Sequence, residues 1–407
     1  MKPERYRWFL VVLLMVVGLL NYLDRQVIFS LLPPLTAEFH LSDIQLGLLG
    51  TAFLWVYGAA SPLGGFLADR FNRRAVILAS LAVWSAVTWW TGHARTFEEL
   101  LSARALMGLS EACYIPAGLA MISDYHGDRT RSLATGVHQS GIYAGIILGG
   151  AAGGWLGQLY GWRIVFQLLG AIGVVYSIFL FFALRSDRGE NGAKEQKPRI
   201  LDSCRTLFSS RAFQLLAVVN TLGSLAYWMA YTWLPLYLYE QFHMDLKDAG
   251  FTATFYIQAA AFVAIIAGGW ASDRWGASMP GARGLVQALG FLAAGPGLFL
   301  VGSTVSQPVL IATLILFGIG KGLYDCNLMP VLAQIAPPHL RATGYGIFNM
   351  TSCLAGGVMA MAAGALKSTI GLGGALQISG IVMVMGGLLL LMLGRVVKHG
   401  VSVPSPA

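Results

Sequence analysis

The sequence predicts an all-α membrane protein of twelve transmembrane helices, and three observations carry that reading. Of its 407 residues 56% are hydrophobic and only 11% charged, whereas an ordinary soluble domain carries about 25% charged residues. Apolar runs of about 18 residues or more recur along nearly the whole chain, each long enough to cross a hydrocarbon core of about 30 Å. Seven charged side chains nevertheless interrupt these runs: Asp24, Arg25, Arg104, Glu111, Glu240, Lys321 and Asp325. A charge at the bilayer centre costs roughly 2.5–3.5 kcal/mol, so these residues point to a polar pathway through a helical bundle. Glu240 is the weakest of them, because it falls toward the outer end of its run.

The predicted spans are 8–32, 44–68, 75–92, 98–122, 132–157, 163–184, 212–240, 249–271, 283–302, 308–335, 342–365 and 371–394. The first follows a basic start but is too long for a signal-peptide core, and no small-residue cleavage pattern follows it. The long polar stretch 185–211 reads as a cytoplasmic linker. It separates an N-terminal half, 1–184, from a C-terminal half, 212–394, and a tail follows at 395–407. In the seventh span, Pro235 marks a place where the helix is open to a break.

Twenty Lys and Arg residues fall on the side of the membrane that holds the N-terminus, and four fall in the opposite loops. The positive-inside rule then places both termini in the cytoplasm. The expected location is the bacterial inner (plasma) membrane. Most of the net charge of +8 is this topological bias, so a nucleic-acid partner is not expected. Cys113, Cys204, Cys326 and Cys353 show no metal-ligand spacing, and neither a metal nor a cofactor is expected.

The two halves echo each other. Gly65-Phe-Leu-Ala-Asp69-Arg70-Phe after the second span matches Gly269-Trp-Ala-Ser-Asp273-Arg274-Trp after the eighth at an offset of 204. Ala134-Thr-Gly136 and Ala342-Thr-Gly344 match at an offset of 208. Two matches at nearly one offset indicate a duplicated half, a property of transporters built from parallel repeats. A further offset of 210 aligns Gly108 with Gly318, Glu111 with Lys321 and Tyr114 with Tyr324.

At these residues the chain resembles the major facilitator superfamily. The run from Gly65 through Asp69, Arg70, Arg73 and Arg74 is similar to its loop 2–3 signature, with Asn72 where Gly is usual. Arg104-Ala-Leu-Met-Gly108 resembles its fourth-helix motif. Asn21-Tyr22-Leu-Asp24-Arg25, Gly108-Leu-Ser-Glu111-Ala-Cys-Tyr114 and Gly153 through Arg163 resemble the Spinster-like branch. The first two of these also resemble the anion:cation symporters of sugar acids. Helix 5 is similar to the antiporter motif but has Ile146 where that motif has Pro, which weakens an exchanger reading.

The resemblance implies a monomeric carrier that works by alternating access and uses protons as coupling ion. Asp24 and Glu111 match the proton-coupling acids, and Arg25 and Arg104 match the arginines that position an anionic substrate. Asp69, Arg70, Arg73, Asp273 and Arg274 match cytoplasmic gating positions; the bland alternative is a topogenic cluster of exposed ion pairs, each worth about 0–1 kcal/mol.

Arg104 and Glu111 are seven residues apart, hence two turns along one helix face. The economical arrangement is a four-member network of Asp24 and Glu111 against Arg25 and Arg104, with static salt bridges as the structural alternative. An anion that engages an arginine takes counter-charge from the neighbouring acid, so substrate and proton bind cooperatively.

Lys321 and Asp325 are four apart and can pair within one helix. They either neutralise each other or supply a C-half substrate contact. Tyr114, Tyr227, Tyr231, Tyr324 and Asn327 are further candidates for substrate contact, each weighed against an interhelical hydrogen bond. His138 reads as a buried packing residue with a proton relay as the alternative.

The expected substrate is a small anionic organic or sugar acid, and the expected partners of the protein are that substrate, protons and membrane lipid. A lysophospholipid or other amphipathic lipid is the alternative, and multidrug proton antiport a third. No GxSxG, HExxH or acid–His cluster supports a membrane enzyme.

Overall fold

The structure, a computed structural model, describes residues 3–126, 128–185, 200–276, 279, 281–337 and 340–400. Among these residues the chain forms helices throughout: α1 (Pro3–Ser30), α2 (Leu32–Phe39), α3 (Asp43–Arg70), α4 (Arg73–Thr91), α5 (Phe97–Glu111), α6 (Tyr114–Tyr125) and α7 (Asp128–Tyr160). They continue as α8 (Trp162–Ala183), α9 (Ile200–Phe208), α10 (Arg211–Gln241), α11 (Leu246–Gly276), α12 (Ala282–Val301), α13 (Gln307–Ile335) and α14 (Arg341–Gly400). Eleven helical stretches are long and apolar enough to cross a membrane, and the last runs for 50 residues from Thr343 to Met392. That stretch turns at Gly371 (φ 68°) and carries the two final predicted spans.

The helix boundaries follow local chemistry. Ser42 caps α3 in a capping box with Gln45, each side chain satisfying the other residue's backbone N–H. Gln45 therefore serves the cap. Asn72, the departure from the signature, caps α4 by accepting from the Arg74 amide at 2.9 Å. After Ser30, Pro33 and Pro34 restart the chain as the short helix α2, since a proline in the first turn gives up no hydrogen bond.

The fourth span, expected at 98–122, runs as one stretch from Phe97 to Tyr125, in which two turn residues after Glu111 separate α5 from α6. Pro116 lacks the N–H that would donate to the Ala112 carbonyl, which loosens the ladder at that point. Two other expectations change. Pro235 breaks nothing, and α10 runs through it. Within the expected linker, Ile200–Phe208 is helical and residues 186–199 lie outside the described set.

The internal repeat extends well beyond its motifs. His40 and His243, which follow the first and seventh spans, both adopt φ 51°. Gly161 and Gly371, 210 residues apart, both turn the chain at positive φ, a conformation glycine adopts at little cost. Helix contacts repeat as well. A Cβ on Gly108 would stand 2.6 Å from the Phe53 carbonyl oxygen, and one on Gly318 would press on the Ile257 carbonyl oxygen. Gly64 meets Ala112 and Cys113, as Gly268 meets Leu323. These small-residue crossings let backbones approach closely in lipid, where packing drives association.

The helices gather into two compact units. One takes the described residues of Met1–Glu195, Tyr231–Phe255 and Ala360–Ala365. In it α1 lies along α7, α4 along α8 and α3 along α5. Gly150 of α7 abuts Thr254 of α11, and Trp233 Nε1 donates to the Ala360 carbonyl at 3.0 Å. Within the spans, Tyr6, Leu10, Leu14, Trp84, Tyr114 and Met121 belong to one buried apolar cluster. The other unit takes the described residues of Gln196–Ala230, Tyr256–Met359 and Leu366–Ala407, with α12 packed along α13.

Outside the spans, Glu38 of α2 accepts from Trp162 Nε1 at 2.7 Å and from Arg163 Nη1 at 2.5 Å. Arg163 also donates to the Ala94 carbonyl at 2.9 Å and stacks on Trp162. Partial burial pulls the Glu38 carboxyl up, but the bonds from Arg163 and Trp162 outweigh it and hold it below its ordinary 4.5. A depressed folded-state pKa gives stability that is present above the unfolded value and lost as pH falls through the folded one. Thermal melts of the purified protein should therefore show a loss below about pH 4.5 that Glu38→Gln removes. In the same assay, Gly108→Ala and Gly318→Ala should each cost about 1–3 kcal/mol through forced helix separation.

Candidate functional site

α1 supplies Asn21, Tyr22, Asp24 and Arg25, and α5 supplies Arg104 and Glu111. Arg25 Nε donates to Glu111 Oε2 at 2.5 Å, with Arg25 7% exposed and Glu111 0%. Aromatic rings enclose the Arg25 guanidinium: Tyr57 at 4.3 Å, Tyr22 at 4.6 Å and Phe53 at 5.0 Å. The same Phe53 ring lies 4.7 Å from the Arg104 guanidinium. One aromatic face thus serves two buried cations, a favourable contact where water is scarce.

The four charges do not form the expected closed network. Only Arg25 and Glu111 pair. Arg104 Nε donates to the Leu49 carbonyl at 3.2 Å and its Nη1 reaches Met107 Sδ at 3.2 Å, both neutral partners. Asp24 Oδ2 accepts from Thr88 Oγ1 at 3.4 Å. Consecutive helical residues point about 100° apart, so Asp24 faces α4 while Arg25 faces α5.

This arrangement leaves capacity unspent. Among the described residues, Asp24 Oδ1, Arg25 Nη2, Arg104 Nη2 and Glu111 Oε1 are buried without a hydrogen-bond partner. Buried polar groups are nearly always satisfied. Two guanidinium nitrogens and two carboxylate oxygens of this cluster thus keep hydrogen-bonding capacity to spend.

Tyr114 does not join this group. It is 0% exposed, its hydroxyl donates to the Leu14 carbonyl at 2.6 Å, and it accepts from His138 Nε2 at 2.8 Å. It thereby ties α6 to α1 and α7. Tyr324 repeats the role more weakly, donating to Asn220 Oδ1 at 3.5 Å, while Asn220 Nδ2 donates to the Phe348 carbonyl at 3.1 Å. His138 is buried with Nδ1 unpartnered.

In the C-terminal half, Lys321 Nζ donates to Asp325 Oδ2 at 2.5 Å within α13. Asp325 keeps 28% of its side chain exposed against 9% for Lys321. Lys321 also lies 5.8 Å over the Tyr227 ring, which borders Phe291, Phe317 and Tyr324. Asn327 instead ties α13 to α11, donating to Ser272 Oγ at 2.9 Å. The Tyr231 carbonyl accepts from Gln26 Nε2 at 3.3 Å. Glu240 sits exposed near the end of α10 and leaves the set of intramembrane charges.

Of the predicted gating residues, Asp69 and Arg70 end α3, and their side chains lie outside the described residues. Arg73 pairs with Asp124 of α6, and Asp273 pairs with Arg283 at 2.9 Å. Arg274 lies 5.8 Å over Trp270. Sequence reasoning missed Thr88, Phe53 and the Leu49 carbonyl as neighbours of the charges. A polar residue in mid-span was the available signal for Thr88, and a backbone carbonyl leaves none.

The sequence profile of the Major Facilitator Superfamily matches residues 14–360. The chain belongs to this superfamily. It is 25% identical to the D-galactonate transporter of Escherichia coli O6:H1 over 430 residues, covering 98% of each chain. It is 26% identical to the probable galactarate/D-glucarate transporter of Escherichia coli K12, covering 91% of this chain and 90% of that one. The hexuronate transporter of the same strain is 24% identical, with the same coverage. A bacterial homologue of the human lysosomal transporter Spinster, in an inward-facing and unoccupied conformation, superposes with a TM-score of 0.85 at 21% identity over 100% of both chains. The protein is therefore a multi-pass membrane transporter of the superfamily, not an enzyme, with the fold of the Spinster homologue and sugar-acid transporters among its relatives.

Because Tyr114 is a helix tie in this superfamily member, Tyr114→Phe should cost about 1–3 kcal/mol in thermal melts by orphaning a buried histidine and a carbonyl. Tyr324→Phe, which loses only a 3.5 Å contact, should cost clearly less.

Proposed function

We propose that the protein is a proton-coupled secondary transporter of a sugar-acid-like organic anion. The observation that carries this reading is Arg104, 1% exposed and held only by a carbonyl, a thioether and aromatic rings, with Nη2 unpartnered. A buried guanidinium without a contacting carboxylate suits a carboxylate ligand, which it binds in a planar fork. The relatives named for galactonate, galactarate or glucarate, and hexuronate support the same substrate class.

In this reading Arg104 and Arg25 take the substrate carboxylate, and Asp24 and Glu111 carry protons. When the substrate engages Arg25, Glu111 loses its ion-pair partner and takes a proton, so the two ligands bind cooperatively. Lys321, oriented by Asp325, supplies the C-half contact, with Tyr227 and Tyr231 as further contacts and Tyr114, Tyr324 and Asn327 holding the helices that carry them. Residues 1–184 and 212–394 act as the two rocking halves, latched on the cytoplasmic side by Asp69, Arg70, Arg73, Asp273 and Arg274. The carrier acts as a monomer in the bacterial inner membrane with both termini cytoplasmic.

The test is uptake into proteoliposomes under an imposed inward proton gradient, with D-galactonate, D-glucarate and D-glucuronate as probes and D-galactose and a lysophospholipid as controls. At least one acid should accumulate and the neutral sugar should not. Glu111→Gln should abolish gradient-driven accumulation while counterflow persists. Arg25→Ala should weaken binding about thirtyfold or more, as expected for leaving a buried charge unpaired. Accumulation unchanged by both substitutions would make the cluster purely structural.

A further inference from the structure

We infer that the substrate carries a single carboxylate and is otherwise hydroxylated, and that Asp325 rejects a diacid. The inference rests on the proposed function, in which Lys321 supplies the C-half contact, and narrows the substrate class from sugar acids to sugar monoacids. The relatives leave this choice open. Galactonate and hexuronates carry one carboxylate, whereas galactarate and D-glucarate carry two.

Among the described residues, three buried cations lie within the membrane spans: Arg25, Arg104 and Lys321. Two of them already hold a carboxylate of the protein, Arg25 that of Glu111 and Lys321 that of Asp325, each at 2.5 Å. Arg104 contacts only a carbonyl, a thioether and aromatic rings. The two pairs differ in what parts them. Arg25 and Glu111 stand on different helices, so a shift of one helix separates them. Lys321 and Asp325 stand four residues apart on α13 and move together.

Asp325 is also the more open member, with 28% of its side chain exposed against 9% for Lys321. A carboxylate facing hydrocarbon is costly, so the exposed edge of Asp325 faces the polar pathway. A ligand that reaches α13 therefore meets a carboxylate before it meets the ammonium. Lys321 is the only cation of α13, so Asp325 has no other on its helix to turn to. The Tyr227 ring under Lys321 packs on Phe291 and Phe317, and Phe291 stacks on Tyr324 at 4.2 Å. These rings bring no further positive charge.

The chemistry of that edge selects the ligand's far end. An ionised carboxylate only accepts hydrogen bonds, and sugar hydroxyls donate them. A second substrate carboxylate would instead face Asp325 as a like charge in surroundings where water screens poorly. Such a repulsive group rejects the wrong ligand without any added attraction for the right one.

D-Galactonate and galactarate differ only in a terminal hydroxymethyl or carboxylate, as do D-gluconate and D-glucarate, so each pair isolates the second charge. Their competition is measured against whichever of these four acids, or D-glucuronate, the purified protein accumulates in proteoliposomes under an imposed inward proton gradient. Each monoacid should inhibit at a concentration about tenfold below that of its diacid, the scale of one unfavourable charge contact. The nearly isosteric Asp325→Asn should erase most of that ratio, and Asp325→Glu should keep it. A merely structural Asp325 would lower uptake of both members of a pair alike. A diacid that competes as well as its monoacid in the unmodified protein would overturn the inference and leave the proposed function standing. A ratio unchanged in folded Asp325→Asn would overturn the role of Asp325. Accumulation of none of the five acids would overturn the proposed function and the inference with it.

Discussion

The ion pair between Arg25 and Glu111 is the constraint on which the rest of the N-terminal half depends. It spans two helices, is almost wholly buried, and is ringed by Tyr22, Phe53 and Tyr57. Two charges withdrawn from water are a poor source of net stability compared with apolar packing of the same volume. Removal of one partner alone is far worse, about 3–5 kcal/mol, because the other is left uncompensated. The pair therefore fixes the register of α1 against α5.

Glycine crossings hold the scaffold for this pair. Gly108 sits between Arg104 and Glu111 and admits the α3 backbone at Phe53, which brings the Phe53 ring to both guanidiniums. Glu111 occupies the last turn of α5, and two turn residues in helical dihedrals lead on to α6. Tyr114, at the start of α6, ties this junction to Leu14 and His138.

Much of this was legible in the sequence, for a physical reason: charge in hydrocarbon is costly, so Asp24, Arg25, Arg104, Glu111 and Lys321 stand out from apolar spans without any structure. The repeat was legible because loops and small-residue crossings recur at one spacing. The pairing was not. Helical phase gives the angle between Asp24 and Arg25 but not which helix each faces, so the four-membered network resolved into one pair plus an acid on Thr88 and a base on a carbonyl. Tyr114 and Asn327 stood as candidates for both roles, because polarity in a span looks the same whether it ties helices or meets a ligand. The turn after Glu111 was hidden because Pro116 falls inside an otherwise continuous apolar run.

The duplicated halves place opposite charges at equivalent positions, Glu111 and Lys321, yet hold them differently. Glu111 is paired across helices, so any shift of α1 against α5 changes its electrostatic surroundings. Lys321 is paired four residues along its own helix, so the pair travels with α13 as one body and its geometry is insensitive to neighbouring helices. Under the proposed function this difference divides the labour. An interhelical pair converts helix motion into a change of proton affinity, and proton uptake into a change of helix contact, which is the reciprocity that coupling requires. An intrahelical pair has no such lever; it offers a cation fixed to α13, with Asp325 partly exposed beside it.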